Sequence, residues 1–259
     1  MKKNVIAAMF LLASMALPAL ASAQTTARSN SRQIQQDRQI QTAVSEQLQK
    51  KEVFRDVKAN VDDGIVTITG KVPLYIDKVN AEKRVRKVKT VDGVRNHVEV
   101  AGAAASDKEV QENLANKLRY DRIGYGIVFN NLGVAVDHGV ATVSGNVRDY
   151  PDRDSAIAIV STTAGVKDVI DEIAVAPVSI MDDSLRIRLA RAIYGDSSLR
   201  KYALDPQAPI RIVVQNGNVE LAGVVLNDMD RQLAFMRANQ VPGAFSVTNH
   251  LQVAPQISE

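Results

Sequence analysis

Residues 62–72 read DDGIVTITGKV, and the same pattern returns as DHGVATVSGNV at 137–147 and as QNGNVELAGVV at 215–225. In each, two polar residues and a glycine precede alternating apolar positions: Val66, Ile68, Val72; Ala141, Val143, Val147; Val219, Leu221, Val225. A polar-Gly pair between alternating runs predicts a tight hairpin turn, and alternation predicts a strand with one buried face. Gly64, Gly139 and Gly217 therefore mark turns. Gly70, Gly145 and Gly223 fall within the second strand on its inward phase, where a missing side chain is expected to let a helix lie close to the sheet. A phosphate cradle is the other use of such glycines, but it needs several of them feeding a helix amino terminus, which is not the pattern here.

Working outward from these hairpins, the register holds without a gap for 36 positions, to Val100, Val175 and Val253. Asp77, Asp152 and Asp230 coincide, as do Ala81, Ala156 and Ala234, and a basic residue always follows the aspartate. Three copies of one supersecondary unit explain that many matches in one register. Upstream, apolar residues recur every fourth position: Ile40, Val44, Leu48; Val110, Leu114, Leu118; Leu185, Leu189, Ile193. That spacing gives a helix with one buried stripe. The chain is thus expected to be α+β, three tandem αββαβ modules, each a small three-stranded sheet covered by two helices. The shared aspartates stand where the second helix should begin, which suits a capping carboxylate.

The expected boundaries are 34–102, 107–177 and 181–254, with a small-residue linker from Gly102 to Ser106 and a stiffer one at Pro177-Val178-Ser179. The second copy carries an insert from Arg119 to Asn131 and the third from Tyr194 to Pro209. Loops of that length are candidate contact sites or mere spacers, and the sequence does not choose between them.

Ahead of the modules, Lys2 and Lys3 precede an apolar run, Val5 to Leu17, too short for a membrane span, and Ala21-Ser22-Ala23 follows. The pattern predicts a cleavable signal peptide over 1–23, with cleavage after Ala23 and a periplasmic address. Residues 24–33 are polar and expected to be disordered. Removing the leader takes two lysines and no acids, which leaves 30 basic and 29 acidic residues. A near-neutral chain gives no argument for nucleic-acid binding. With no cysteine, each module depends on its own core.

The inventory argues against an enzyme and against a cofactor or metal. Of the three histidines, His97 and His250 occupy the same repeat position in the first and third copies, on the phase opposite the buried valines and in different modules, and His138 falls in a hairpin turn. No HExxH, phosphate-loop or nucleophile-elbow motif is present. No catalytic residue and no small-molecule substrate is expected.

Helix-strand-strand-helix-strand order, the three hairpin motifs, and a later pattern carried by Gly165, Val166, Val169, Ile173, Val175 and by Gly243, Val247, Asn249, Leu251, Val253 together resemble the BON domain. The first copy has Thr90 where the others have Gly165 and Gly243, and a displaced Gly93. The resemblance implies a periplasmic protein of the osmotically inducible type, whose domains contact phospholipid surfaces or other envelope components.

Charge localises that expectation. Residues 37–100 carry 13 basic and 10 acidic groups, 107–176 carry 7 and 11, and 182–253 carry 8 and 7. Only the first module is a convincing electrostatic docking surface, through Lys78, Lys83, Arg84, Arg86, Lys87 and Lys89 on and after its second helix. A solvated helix face is the alternative use of those charges. Two functions are in view: an envelope protein that touches anionic phospholipid, or a protein interaction scaffold or chaperone-like stress protein of the periplasm.

Overall fold

The computed structural model describes residues 17–101, 105–122, 126–205 and 209–255, with backbone alone for 17–29. The apolar leader run, linker residues 102–104 and the Gly124-Tyr125 part of the second insert lie outside the described residues. Helix α1 (Leu17–Gln49) leads into β1 (Lys58–Asp62), β2 (Ile65–Val72), α2 (Tyr75–Val85) and β3 (Gly93–Val100). The second module is α3 (Asp107–Tyr120), β4 (Asn131–Asp137), β5 (Val140–Val147), α4 (Tyr150–Ser161) and β6 (Asp168–Val175). The third is α5 (Ile180–Tyr194), a short α6 (Arg200–Ala203), β7 (Ile210–Gln215), β8 (Asn218–Val225), α7 (Asp228–Asn239) and β9 (Ser246–Val253).

Each sheet is ordered first-second-third, with the hairpin strand central. In the second and third sheets the hairpin is antiparallel, and the last strand pairs parallel to the central one. A parallel neighbour requires a crossover, and the second helix of each module supplies it. The three-copy α+β architecture is therefore present as the periodicity predicts.

The predicted stripes are the cores. Ile40, Val44 and Leu48 are buried in the first module with Val66, Ile68, Ala81, Val85 and Val98. Val110 and Leu114 meet Ala141, Val143 and Val160 in the second, and Leu185, Leu189 and Ile193 meet Ile212, Leu221 and Ala234 in the third. Each fully buried aliphatic side chain contributes about 1.5–3 kcal/mol, so these aromatic-poor cores are sufficient without disulfides.

Three details differ from the sequence expectation. Helix α1 runs through residues 24–33, where disorder was expected. That stretch contains neither glycine nor proline, and a helix already anchored by Ile40, Val44 and Leu48 extends at low cost once nucleated. Second, Gly70, Gly145 and Gly223 make room for a strand and not for a helix. A Cβ at these positions would collide with the backbone carbonyls of Asp56, Asn131 and Pro209, at the start of the neighbouring strand. All three also have φ between 113° and 124°, so the bend itself favours glycine.

Third, the repeated aspartates are not the helix caps. In α4 the cap is Asp149, whose side chain accepts from the Asp152 N–H, and in α7 it is Asn227, which accepts from the Asp230 N–H. Asp152 and Asp230 sit three residues inside, almost fully buried.

By contact density the chain forms two compact units, one holding the first sheet (up to Gly70, and Ala81–Val98), the other holding Lys71–Asn80 with everything from Glu99 onward. Within the second unit, Arg211 of β7 donates to the Ile127 carbonyl at 2.6 Å, and Asn131 donates to Glu220 at 3.4 Å. Val128 and Phe129, from the insert of the second module, pack against the third core.

Candidate functional site

The hairpin turns are built as the sequence predicts, and a partner that sequence reasoning missed holds them. Asp63 and Gly64, His138 and Gly139, and Asn216 and Gly217 all have positive φ, the geometry of a two-residue turn that follows strand twist. Such a turn points two N–H groups outward, and one aspartate from the first helix accepts both. Asp37 takes those of Asp63 and Gly64 at 3.2 and 3.0 Å, Asp107 those of His138 and Gly139 at 2.7 and 2.9 Å, and Asp182 those of Asn216 and Gly217 at 2.8 and 2.9 Å. The signal existed: each aspartate lies three residues before the first apolar stripe residue, Ile40, Val110 or Leu185. Asp37, Asp62 and Asp63 also bring carboxylate oxygens within 4.8 Å of one another. Both oxygens of Asp37 accept from the turn.

The inserts have a purpose related to the second aspartate. In the second module Arg122, 2% exposed, reaches under the start of α4, donating to the Asp152 carbonyl at 2.6 Å and to Ser155 Oγ at 2.9 Å. Burial raises the Asp152 carboxyl above its ordinary range, and its Oδ2 has no hydrogen-bond partner. In the third module the insert delivers Lys201 and Tyr202. Lys201 Nζ is 2.6 Å from Asp230 Oδ2, and the Tyr202 hydroxyl donates to the same oxygen at 2.6 Å while accepting from the Leu226 N–H. Burial opposes ionisation of Asp230, and the Lys201, Tyr202 and Asn227 hydrogen bonds outweigh it and hold the carboxyl below its usual range. Tyr202 is pushed up to about 12 by burial and by Asp230. Both inserts thus strap the second helix to its module.

The basic residues lie at the carboxyl end of α2 and in the turn beyond it. Lys83, Arg86, Lys87 and Lys89 are exposed, and Arg84 is half-buried with its guanidinium 5.7 Å from the centre of the Phe54 ring. Arg86 donates twice to Glu82 Oε1, at 2.9 and 2.7 Å, and is thereby partly neutralised. Cations here complement the partial negative charge of the helix terminus. Lys78 is half-buried in the part of α2 that belongs to the other unit, so the cluster on the first unit is Lys83 to Lys89. The remaining motif glycines, Gly165 and Gly243, lead into β6 and β9 with φ of 93° and 95°, and Thr90 occupies the same place with φ of 72°. His97, His138 and His250 are all exposed and lie on separate elements.

Three tandem αββαβ units, each with a glycine hairpin, define a repeat protein. The BON domain family model matches residues 36–102, 106–177 and 196–255, and the chain belongs to that family. The last match begins after α5, although α5 supplies Leu185, Leu189 and Ile193 to the third core. No curated protein matches the sequence. Among solved structures, the chain is similar to the C-terminal domain of CdsD, a structural protein of the type III secretion system of Chlamydia trachomatis, with 14% identity over 83% of this chain and 96% of that one and a TM-score of 0.24. It is also similar to the periplasmic domain of the type III secretion inner membrane protein PrgH from S. typhimurium, with 9% identity over 81% and 100% of the two chains and a TM-score of 0.19. Scores this low carry no argument about assembly or function. Among the described residues, no helix is long and apolar enough to cross a membrane.

Proposed function

We propose that this is a non-enzymatic periplasmic envelope protein that docks on anionic phospholipid through the end of α2 in its first module, and that it supports the envelope under osmotic or other stress. The observation that carries the reading is the exposed set Lys83, Lys87 and Lys89, with Arg84 and Arg86 beside it and Glu82 as the acid paired to Arg86. Membership of the BON family supports the envelope address, and the expected leader over 1–23 agrees with it. Each cation near an anionic leaflet is worth about 1 kcal/mol, so three give weak, salt-sensitive docking. The net acidic charge of the second module disfavours its own docking on an anionic leaflet. Sedimentation with phosphatidylglycerol-containing and with pure phosphatidylcholine vesicles over a salt series tests the proposal. Binding confined to the anionic vesicles and lost with salt is expected, and equal binding to both vesicle types would refute it.

A second reading rests on a different feature. Val178 is fully exposed, and Ile180 and Met181 are 83% and 80% exposed, at the start of α5. Contiguous exposed apolar residues favour a protein partner. A scaffold role is the reading to adopt if the vesicle experiment fails and substitution of these residues by serine abolishes co-purification of an envelope protein.

A further inference from the structure

A cleft of about 530 Å³ opens within the second unit, between the second and third modules. One wall is α3 and β4, with Glu112, Leu118, Arg119 and Val134, and the other includes Arg211 of β7, with Arg122 also lining the space. Its volume lies in the range of small-molecule sites, and its walls combine apolar side chains with a few convergent charges. Arg119, Arg122 and Arg211 all line the cleft, whereas its one lining carboxylate, Glu112, is paired with Lys108 at 3.9 Å, in a region of the chain whose second module is acidic as a whole. Bulk charge therefore does not account for the arrangement.

The three arginines are not equivalent. Arg122 is committed to Ser155 and to the Asp152 carbonyl, so it supplies field more than contact. Arg211 uses Nη1 on the Ile127 carbonyl. Arg119 is exposed at the rim. Burial, first of all, holds the Arg211 guanidinium below its ordinary range; Arg119 and Arg122 lower it further, while Tyr194 and Asp205 act in the opposite sense. Like charges brought together in a partly desolvated cleft are costly, and an anion between them removes the cost. Guanidinium forks match phosphate and carboxylate oxygens.

We propose that this cleft binds a small organic anion, a phosphate or carboxylate carried on an apolar body, with Arg119 and Arg211 holding the anionic head and Leu118 and Val134 lining the space for the body. The site is separate from the α2 surface and does not depend on it. Calorimetric titration of the full chain with phenyl phosphate, benzoate and inorganic phosphate tests it. Saturable binding of phenyl phosphate or benzoate is expected, at least tenfold tighter than inorganic phosphate. Arg119→Ala, at an exposed position, should weaken it at least fivefold with an unchanged unfolding midpoint, and Arg211→Lys should weaken it as well. Charge reversal at Lys83, Lys87 and Lys89 should leave it intact. Displacement of the probe by anionic vesicles assigns the head to lipid and its retention assigns a soluble ester; both uphold the site. Failure of the aromatic anions to saturate, or affinity indifferent to both arginine substitutions, would overturn it.

Discussion

The Asp182 carboxylate, on the first turn of α5, accepts the Asn216 and Gly217 N–H groups at 2.8 and 2.9 Å across 34 and 35 residues of chain. It ties the first helix to the hairpin before the second helix is reached, and Asp37 and Asp107 repeat the tie in the other modules. Hydrogen bonds to a charged acceptor are worth about 1.5–3 kcal/mol, and leaving a buried donor unmet costs about as much. Asp182→Ala should therefore lower the stability of the third module by about 3 kcal/mol. Asp37→Ala, at a half-buried site, should cost less. Urea unfolding of the two variants checks the order, and an equal, negligible effect of both would contradict it.

The buried carboxyls Asp152 and Asp230 respond oppositely to acid. Asp230 is depressed in the folded state, so its contribution is present above the ordinary carboxylate value of 3.8 and is lost as pH falls through the folded value. Asp152 is raised, so ionisation above its ordinary range works against the fold, and protonation relieves it. Asp230→Asn should destabilise at pH 7 by about 2 kcal/mol, through loss of the Lys201 ion pair. Asp152→Asn should be neutral or stabilising at the same pH. Thermal melts at pH 7 and pH 3 distinguish the pair; the loss from Asp230→Asn should shrink at the lower pH.

Thr90 sits at φ 72°, where the other two modules use Gly165 and Gly243. A β-branched residue in the left-handed region carries about 1–2 kcal/mol of strain. Thr90→Gly should accordingly raise the stability of the first module by about 1 kcal/mol, after the greater chain entropy of glycine is counted. A denaturation midpoint that falls would show that the Thr90 hydroxyl, bonded to the Lys89 carbonyl, matters more than the strain.

The cores and the hairpins were readable because both are periodic. Val110 and Leu114 recur at helical spacing, and Val219 and Leu221 at strand spacing, each set facing one neighbour. Gly223 was visible as a special position, but its reason was not. The group that excludes a side chain there is the Pro209 carbonyl, brought alongside only when the strands pair. A Gly223→Ala variant should thus destabilise the third module by about 2 kcal/mol or more, through φ of 113° and the backbone collision together.

The straps were less readable still. Insert lengths show in the sequence, yet nothing local to Arg122 or Lys201 says that each will reach the beginning of a helix some 30 residues onward. Asp37, Asp107 and Asp182 were legible as a repeated position three residues before each helical stripe, but their partners are set by the packed module. Basic side chains after α2 were legible as a run of charge. The structure adds that Arg86 is paired to Glu82 and that Lys83, Lys87 and Lys89 remain exposed.

Reversing those three charges at once, as Lys83→Glu, Lys87→Glu and Lys89→Glu, touches no buried side chain and provides the most direct measurement. The variant and the parent chain are sedimented with phosphatidylglycerol-containing vesicles at low ionic strength. Docking through the end of α2 predicts that the parent pellets with the vesicles while the variant, equally folded by circular dichroism, stays in the supernatant. Equal pelleting of the two would contradict the account.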